Sequence, residues 1–130
     1  MRRPDVKEVR VAAIEVKNVS APQETRPFTD GKGKVDVVEV DGQTVLYATF
    51  EPGWRWSQNV KPIAGTDSCQ ANHVFYCISG RMHVTMDDGS EADISPGDVA
   101  TIKPGHDAWV VGDEPCVTVD WGGSASYARQ

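Results

Sequence analysis

The sequence predicts a small all-β domain, a sandwich or barrel, and three observations carry that prediction. Short runs rich in β-branched and aromatic residues recur at roughly 8–12-residue spacing, bounded by Gly, Pro, Asp and Ser. Two of these runs are joined by Asp41-Gly42 alone, a dipeptide that tolerates the positive φ angles of a type I′ hairpin turn. No segment shows a helical period. At 130 residues the chain fits one domain with one core.

Taken in order, VDVVEV (35–40) and QTVLYATF (43–50) form the first hairpin. RMHVTM (81–86) and SEADI (90–94) flank Asp87-Asp88-Gly89 and form a second, with a longer loop. Turn signals at Ser95–Asp98, Lys103–Asp107 and Gly112–Pro115 separate VATIK (99–103), AWVV (108–111) and CVTVDW (116–121), each read as a strand. Val6 to Val16 is read as an N-terminal strand, and the polar, Pro- and Gly-containing stretch 17–34 as a segment wrapping the surface. The expected organisation is therefore 1–34 as strand and wrap and 35–130 as barrel, within a single domain.

Composition excludes several functions. Charged residues are 25% and hydrophobic ones 39%, an ordinary globular balance, and the net charge of −6 with no basic stripe argues against nucleic acid as a partner. No apolar run approaches the ~20 residues that span a bilayer, so no membrane segment is expected. The first residues lack the apolar stretch of a secretory leader. Cys69, Cys77 and Cys116 make an odd count with no CxxC pair, which fits reduced thiols in the cytoplasm.

From Pro52 to Trp121 the chain resembles the cupin family. The resemblance rests on Tyr76-Cys77-Ile78-Ser79-Gly80-Arg81-Met82, on Pro96-Gly97-Asp98 and on Lys103-Pro104-Gly105. It implies a double-stranded β-helix, or jelly-roll barrel, usually a homodimer, with a ligand cavity in the barrel mouth. Typical members bind one metal through three histidines and a glutamate. Set on that pattern, this chain has Asn59 and Lys61 at two histidine positions, His73 at the glutamate position and Ala108 at the last histidine. A lysine ammonium offers donors and no lone pair, so the standard metal site is read as absent. The runs PGWRWS, GTDSC and PGHDAWVVGDEP are similar to a cupin subgroup found appended to nucleotide-cyclase-like proteins, which implies a sensing or small-molecule role.

Several side chains then become candidates. On a period-two strand His73 shares a face with Phe75 and Cys77, and the family register turns that face inward, where a neutral imidazole serves as base or ligand. Trp54, Trp56 and Trp109 offer aromatic pocket walls. Asn59 and Lys61 are expected to point into the lumen, with Lys61 anchoring an anionic ligand or paired with an acid such as Asp67. His106 is read chiefly as capping its turn with Asp107, Cys69 as a buried thiol anchoring the long loop, and His83 as a surface histidine. Cys69, His73 and His106 would together suit zinc with one position open, although spacing does not bring them together.

Three functions follow. The leading one is a small-molecule-binding cupin without the standard metal, a sensor or a metal-independent isomerase or cyclase with His73 as base. It would bind a polar or anionic ligand through Asn59, Lys61, His73 and His106, with Trp54, Trp56 and Trp109 as walls. The second is a metal-dependent enzyme, using zinc or iron, on a rewritten His/His/Cys site. The third is a structural barrel with no ligand.

Overall fold

The computed structural model describes residues 13–122 and 128. Nine strands fold into two facing antiparallel sheets: β1 (Glu24–Pro27), β2 (Gly33–Val40), β3 (Gln43–Phe50), β4 (His73–Ser79), β5 (Met82–Met86), β6 (Glu91–Ile94), β7 (Val99–Ile102), β8 (His106–Val110) and β9 (Cys116–Asp120). One sheet runs β1-β2-β3-β9-β4-β7 and the other β6-β5-β8. The expected hairpins form. Asp41 and Gly42 take φ of 48° and 75°, as a type I′ turn requires, and Val40 pairs with Gln43 across them. The second hairpin pairs Thr85 with Glu91.

Alternation along the strands builds the interior. Leu46, Ala48 and Phe50 of β3, Phe75 and Cys77 of β4, Ala108 and Val110 of β8 and Cys116 of β9 all point inward and are buried. Phe28, Phe50 and Trp54 stack with ring centroids 4.5–5.5 Å apart. The polar exceptions on the inward rows are His73, His106, Thr118 and Asp120, each at most 8% exposed. Burying four polar side chains costs stability unless they satisfy one another, so their positions mark the region that needs a chemical explanation.

The structure corrects several expectations. Two single helical turns, α1 (Trp56–Asn59) and α2 (Lys61–Ala64), occupy a stretch with no visible helical period. Four residues are too few to display a period, and such turns persist through tertiary ties rather than propensity. Pro62 near the start of α2 and left-handed Gly65 at its end were the available signals. Part of the stretch read as wrap is sheet, since β1 and the first residues of β2 lie within 17–34. The N-terminal strand falls largely outside the described residues, and residues 13–16 form no strand. Strand β8 begins at His106 rather than Ala108, which bears on the site. Among the described residues no helix is long and apolar enough to cross a membrane.

Gly80 joins β4 to β5 at φ 74°, and a Cβ there would lie 2.2 Å from the Pro115 carbonyl oxygen and 2.5 Å from the Cys116 Cα. Both obstacles are backbone, so Gly80→Ala adds left-handed strain to a steric clash. We expect it to lower unfolding free energy by roughly 2–4 kcal/mol in urea titration. A midpoint unchanged from that of the native protein would contradict this placement of the turn.

Candidate functional site

Three local devices converge on one point inside the barrel. His73 opens β4 with its side chain on the buried face. His106 opens β8 and shares its inward face with Ala108. A shift of two residues along a strand keeps a side chain on the same face, so this imidazole enters the lumen one strand step from the position the resemblance assigned. Cys69 arrives from the loop between α2 and β4, where three backbone bonds stitch it to the start of β8. Its N–H donates to the His106 carbonyl at 2.7 Å, and its carbonyl accepts from Gly105 at 2.7 Å and from His106 at 3.3 Å.

As a result, one donor atom from each of Cys69, His73 and His106 lies within 4.8 Å of the other two, and all three residues are buried. Cys69 Sγ is 3.7 Å from His73 Nε2, and the two imidazole rings meet edge to face at 5.2 Å. The other ring nitrogens are already committed. His73 Nδ1–H donates to Asp120 Oδ2 at 2.5 Å. His106 Nδ1 lies 2.7 Å from the Lys103 carbonyl oxygen, which only accepts, so Nδ1 carries a proton. In their neutral forms both rings keep an Nε2 lone pair for the space they share with the thiol. A tetrahedral zinc with Zn–N of ~2.05 Å and Zn–S of ~2.3 Å has an N···S edge of ~3.6 Å. The Cys69–His73 separation matches that edge, and all three donor atoms lie within 4.8 Å of one another, so the donor types and this edge suit such an ion.

Without an ion, the thiol and the His73 imidazole pair as thiolate and imidazolium, so an ion seated there would displace the His73 Nε2 proton. Burial opposes ionisation of Cys69, but hydrogen bonds from His106 and His73, with their positive charge, outweigh it and bring the thiol down to about 7. Burial would also lower His73, yet Asp120 and then Cys69 overcome it and raise the imidazole to about 9. Beside the cluster lies a cavity of about 40 Å³, walled by Leu46, Phe50, Trp54, Trp56, Phe75 and Met82 among others, and reached by His73, His106, Thr118 and Asp120. Among the described residues, three buried polar atoms here find no hydrogen-bond partner: Trp54 Nε1, Trp56 Nε1 and Asp120 Oδ1.

The candidates from sequence separate accordingly. His73, Trp54 and Trp56 line the cavity. Asn59 is buried but not there; its side chain accepts from the Arg55 N–H and donates to the Thr29 carbonyl, fastening α1 to the turn before β2. Lys61 is half-exposed on α2 and pairs with Asp67 at 3.6 Å, so it offers the lumen no cation. Both residues sit in helical turns held by tertiary bonds, so motif spacing alone did not fix where their side chains point. Trp109 faces outward between neighbours of β8, stacked under Arg55 at 4.3 Å and against His83 at 4.8 Å. His83 binds Asp93 at 2.7 Å and Glu91 at 2.8 Å. Asp107 does not pair with His106: it accepts from the Ser57 N–H at 3.0 Å and from Arg55 at 3.3 Å, holding α1 against β8. Asp120 was missed altogether. Its signal was a lone acid ending the apolar alternation of CVTVDW, on the face it shares with Cys116 and Thr118.

Comparisons with known proteins agree with this architecture. The cupin domain model matches residues 65–122, a span that contains Cys69, His73, His106 and Asp120. Among solved structures, a conserved double-stranded β-helix protein from Klebsiella pneumoniae is 22% identical over 91% of this chain and 93% of its own, with a TM-score of 0.56. A protein of unknown function from Rhizobium leguminosarum is 17% identical over 85% of this chain and 98% of its own, with a TM-score of 0.59. Ectoine synthase from P. lautus is 15% identical over 84% and 78%, with a TM-score of 0.55. Comparison with curated proteins gives no match. At these identities the likeness is one of fold, and the fold is the cupin double-stranded β-helix.

The thiol and the imidazole titrate in opposite senses. The raised His73 value stabilises the fold fully below about 6.5, and that contribution is lost as pH rises through about 9. The depressed Cys69 value stabilises it fully above about 9, and that contribution is lost as pH falls through about 7. Between about 7 and 9 folded and unfolded chains each hold one proton on the pair, so the pair's net contribution is level there. Urea titrations of chelator-treated protein should show that Cys69→Ala makes stability fall across this range relative to the native chain. Parallel pH profiles for variant and native protein would contradict the pairing.

Proposed function

We propose that this cupin is a metal-dependent protein that binds a small organic molecule, with the ion held by Cys69 Sγ and by Nε2 of His73 and His106. One observation carries the reading: both imidazoles spend Nδ1 on fixed acceptors, which turns both Nε2 atoms and the Cys69 sulfur toward one buried point. A thiolate with two imidazoles suits zinc, and three protein ligands leave a fourth position open. A zinc ion there would polarise an oxygen donor or ease deprotonation of a bound water.

The chain's own residues prepare that role. Asp120 fixes the tautomer and orientation of His73 and makes its Nε2 more basic. The Lys103 carbonyl does the same for His106. Apolar walls limit competing water and strengthen every charge inside. Binding through Lys61 and Asn59, and the anionic ligand expected with it, has no support once both residues lie away from the lumen.

A second reading has its own observation. Without an ion, Cys69, His73 and Asp120 form a thiol–imidazole–carboxylate chain, with links of 3.7 and 2.5 Å, of the kind that activates a sulfur nucleophile.

Protein stripped by chelator and refilled with zinc should retain about one equivalent. His73→Ala and His106→Ala should each abolish that retention, and Asp120→Asn should weaken affinity by about 10–100-fold in competition with a chromogenic chelator. Zinc should also shield Cys69 from iodoacetamide. Retention of the ion by His73→Ala would overturn the metal reading, and rapid alkylation whether or not zinc is present would favour the second.

A further inference from the structure

We infer that the cavity selects small uncharged molecules presenting one oxygen donor, such as carbonyl, hydroxyl or amide compounds, and discriminates against carboxylates and phosphates. The inference deepens the metal reading and rests on it. Its first support is charge. A divalent ion would meet one thiolate, from Cys69, and one carboxylate, Asp120, which reaches it through His73. With both imidazoles neutral, two negative charges balance the ion. An anionic ligand would leave a net negative charge in a dry chamber, where unpaired charge is costly.

The second support is the wall. Among the described residues no lysine or arginine lines the cavity, so no counter-ion awaits a carboxylate. Lys61 is turned outward to Asp67, and the Arg55 guanidinium lies over the outward-facing Trp109. Polar groups in the chamber other than the two imidazoles are the Thr118 hydroxyl, Asp120 and the indole N–H groups of Trp54 and Trp56, neutral donors that supply no counter-charge. Asp120 Oδ1 is buried and has no partner. It can accept a hydrogen bond from a hydroxyl or an amide N–H, and it repels a second carboxylate.

The third support is size. One water needs roughly 10–15 Å³ of such space and benzene is taken by an engineered cavity of about 150 Å³. A chamber of about 40 Å³ therefore lies between the two. It suits a molecule of a few heavy atoms, or the short head of a longer one whose tail leaves through the mouth. Ala108 forms part of the wall beside His106 and is the place where added bulk would shorten the chamber.

Acetamide and acetate provide the test, because they match in size and differ in charge. In the cobalt-substituted protein the thiolate-to-cobalt charge-transfer band reports that the ion is seated, and the weaker cobalt d–d bands report ligands entering the open position. Acetamide should shift the d–d bands saturably and bind at least tenfold more tightly than acetate, with benzamide weaker than acetamide. Ala108→Leu should keep the charge-transfer band and lose the acetamide response, and Ala108→Lys should move the preference toward acetate. A seated cobalt that prefers acetate in the native protein would overturn this inference and leave the metal reading standing. Absence of the charge-transfer band would overturn both.

Discussion

Cys69, His73, His106 and Asp120 face a largely apolar lumen, and the barrel can bury them because each meets another of the set. Asp120 accepts from His73, His73 meets Cys69, and His106 is fixed by the Lys103 carbonyl and meets the same thiol. Satisfying half of each imidazole with a protein acceptor is what gives the other half a direction. Remove Asp120, and His73 becomes a buried ring with no preferred tautomer. Remove the stitch between Cys69 and the start of β8, and the thiol has no reason to be in the lumen. The rest of the site is apolar wall that keeps these few interactions in a medium of low dielectric.

The fold was legible in the sequence because it is written in local chemistry. Asp41-Gly42 dictates its turn from its own φ preferences, and the alternation of QTVLYATF and CVTVDW dictates which side chains enter the core. The inward face of His73 came from the same alternation. What could not be read was convergence. Cys69 reaches His106 through backbone bonds between segments 37 residues apart in sequence, a meeting that no local pattern encodes. Asn59 and Lys61 were misplaced because motif spacing assigned them ligand positions in the lumen, whereas tertiary ties through Asp107 and Asn59 itself wind that stretch into helical turns. Trp109 was misplaced because alternation was not applied to it: Ala108 faces in, so Trp109 faces out whichever residue opens β8.

The site differs from the pattern the cupin resemblance implied in a way that has chemical consequences. In the proposed site two imidazoles and a thiolate stand in for three histidines and a glutamate, a softer set whose thiolate, together with Asp120, would offset the charge of a divalent ion. Softness favours zinc-like ions over magnesium or calcium. The β8 histidine stands at His106, two residues before Ala108 on the same inward face, so a barrel that lacks the family's ligands at the motif positions still brings a thiol and two imidazoles together.

The most direct test of the account is X-ray absorption at the zinc edge of the refilled protein. The donor geometry predicts one sulfur at ~2.3 Å, two imidazole nitrogens at ~2.0–2.1 Å and one light atom completing the shell. A first shell without sulfur, or one built only from oxygen, would contradict the claim that Cys69, His73 and His106 bind one ion together.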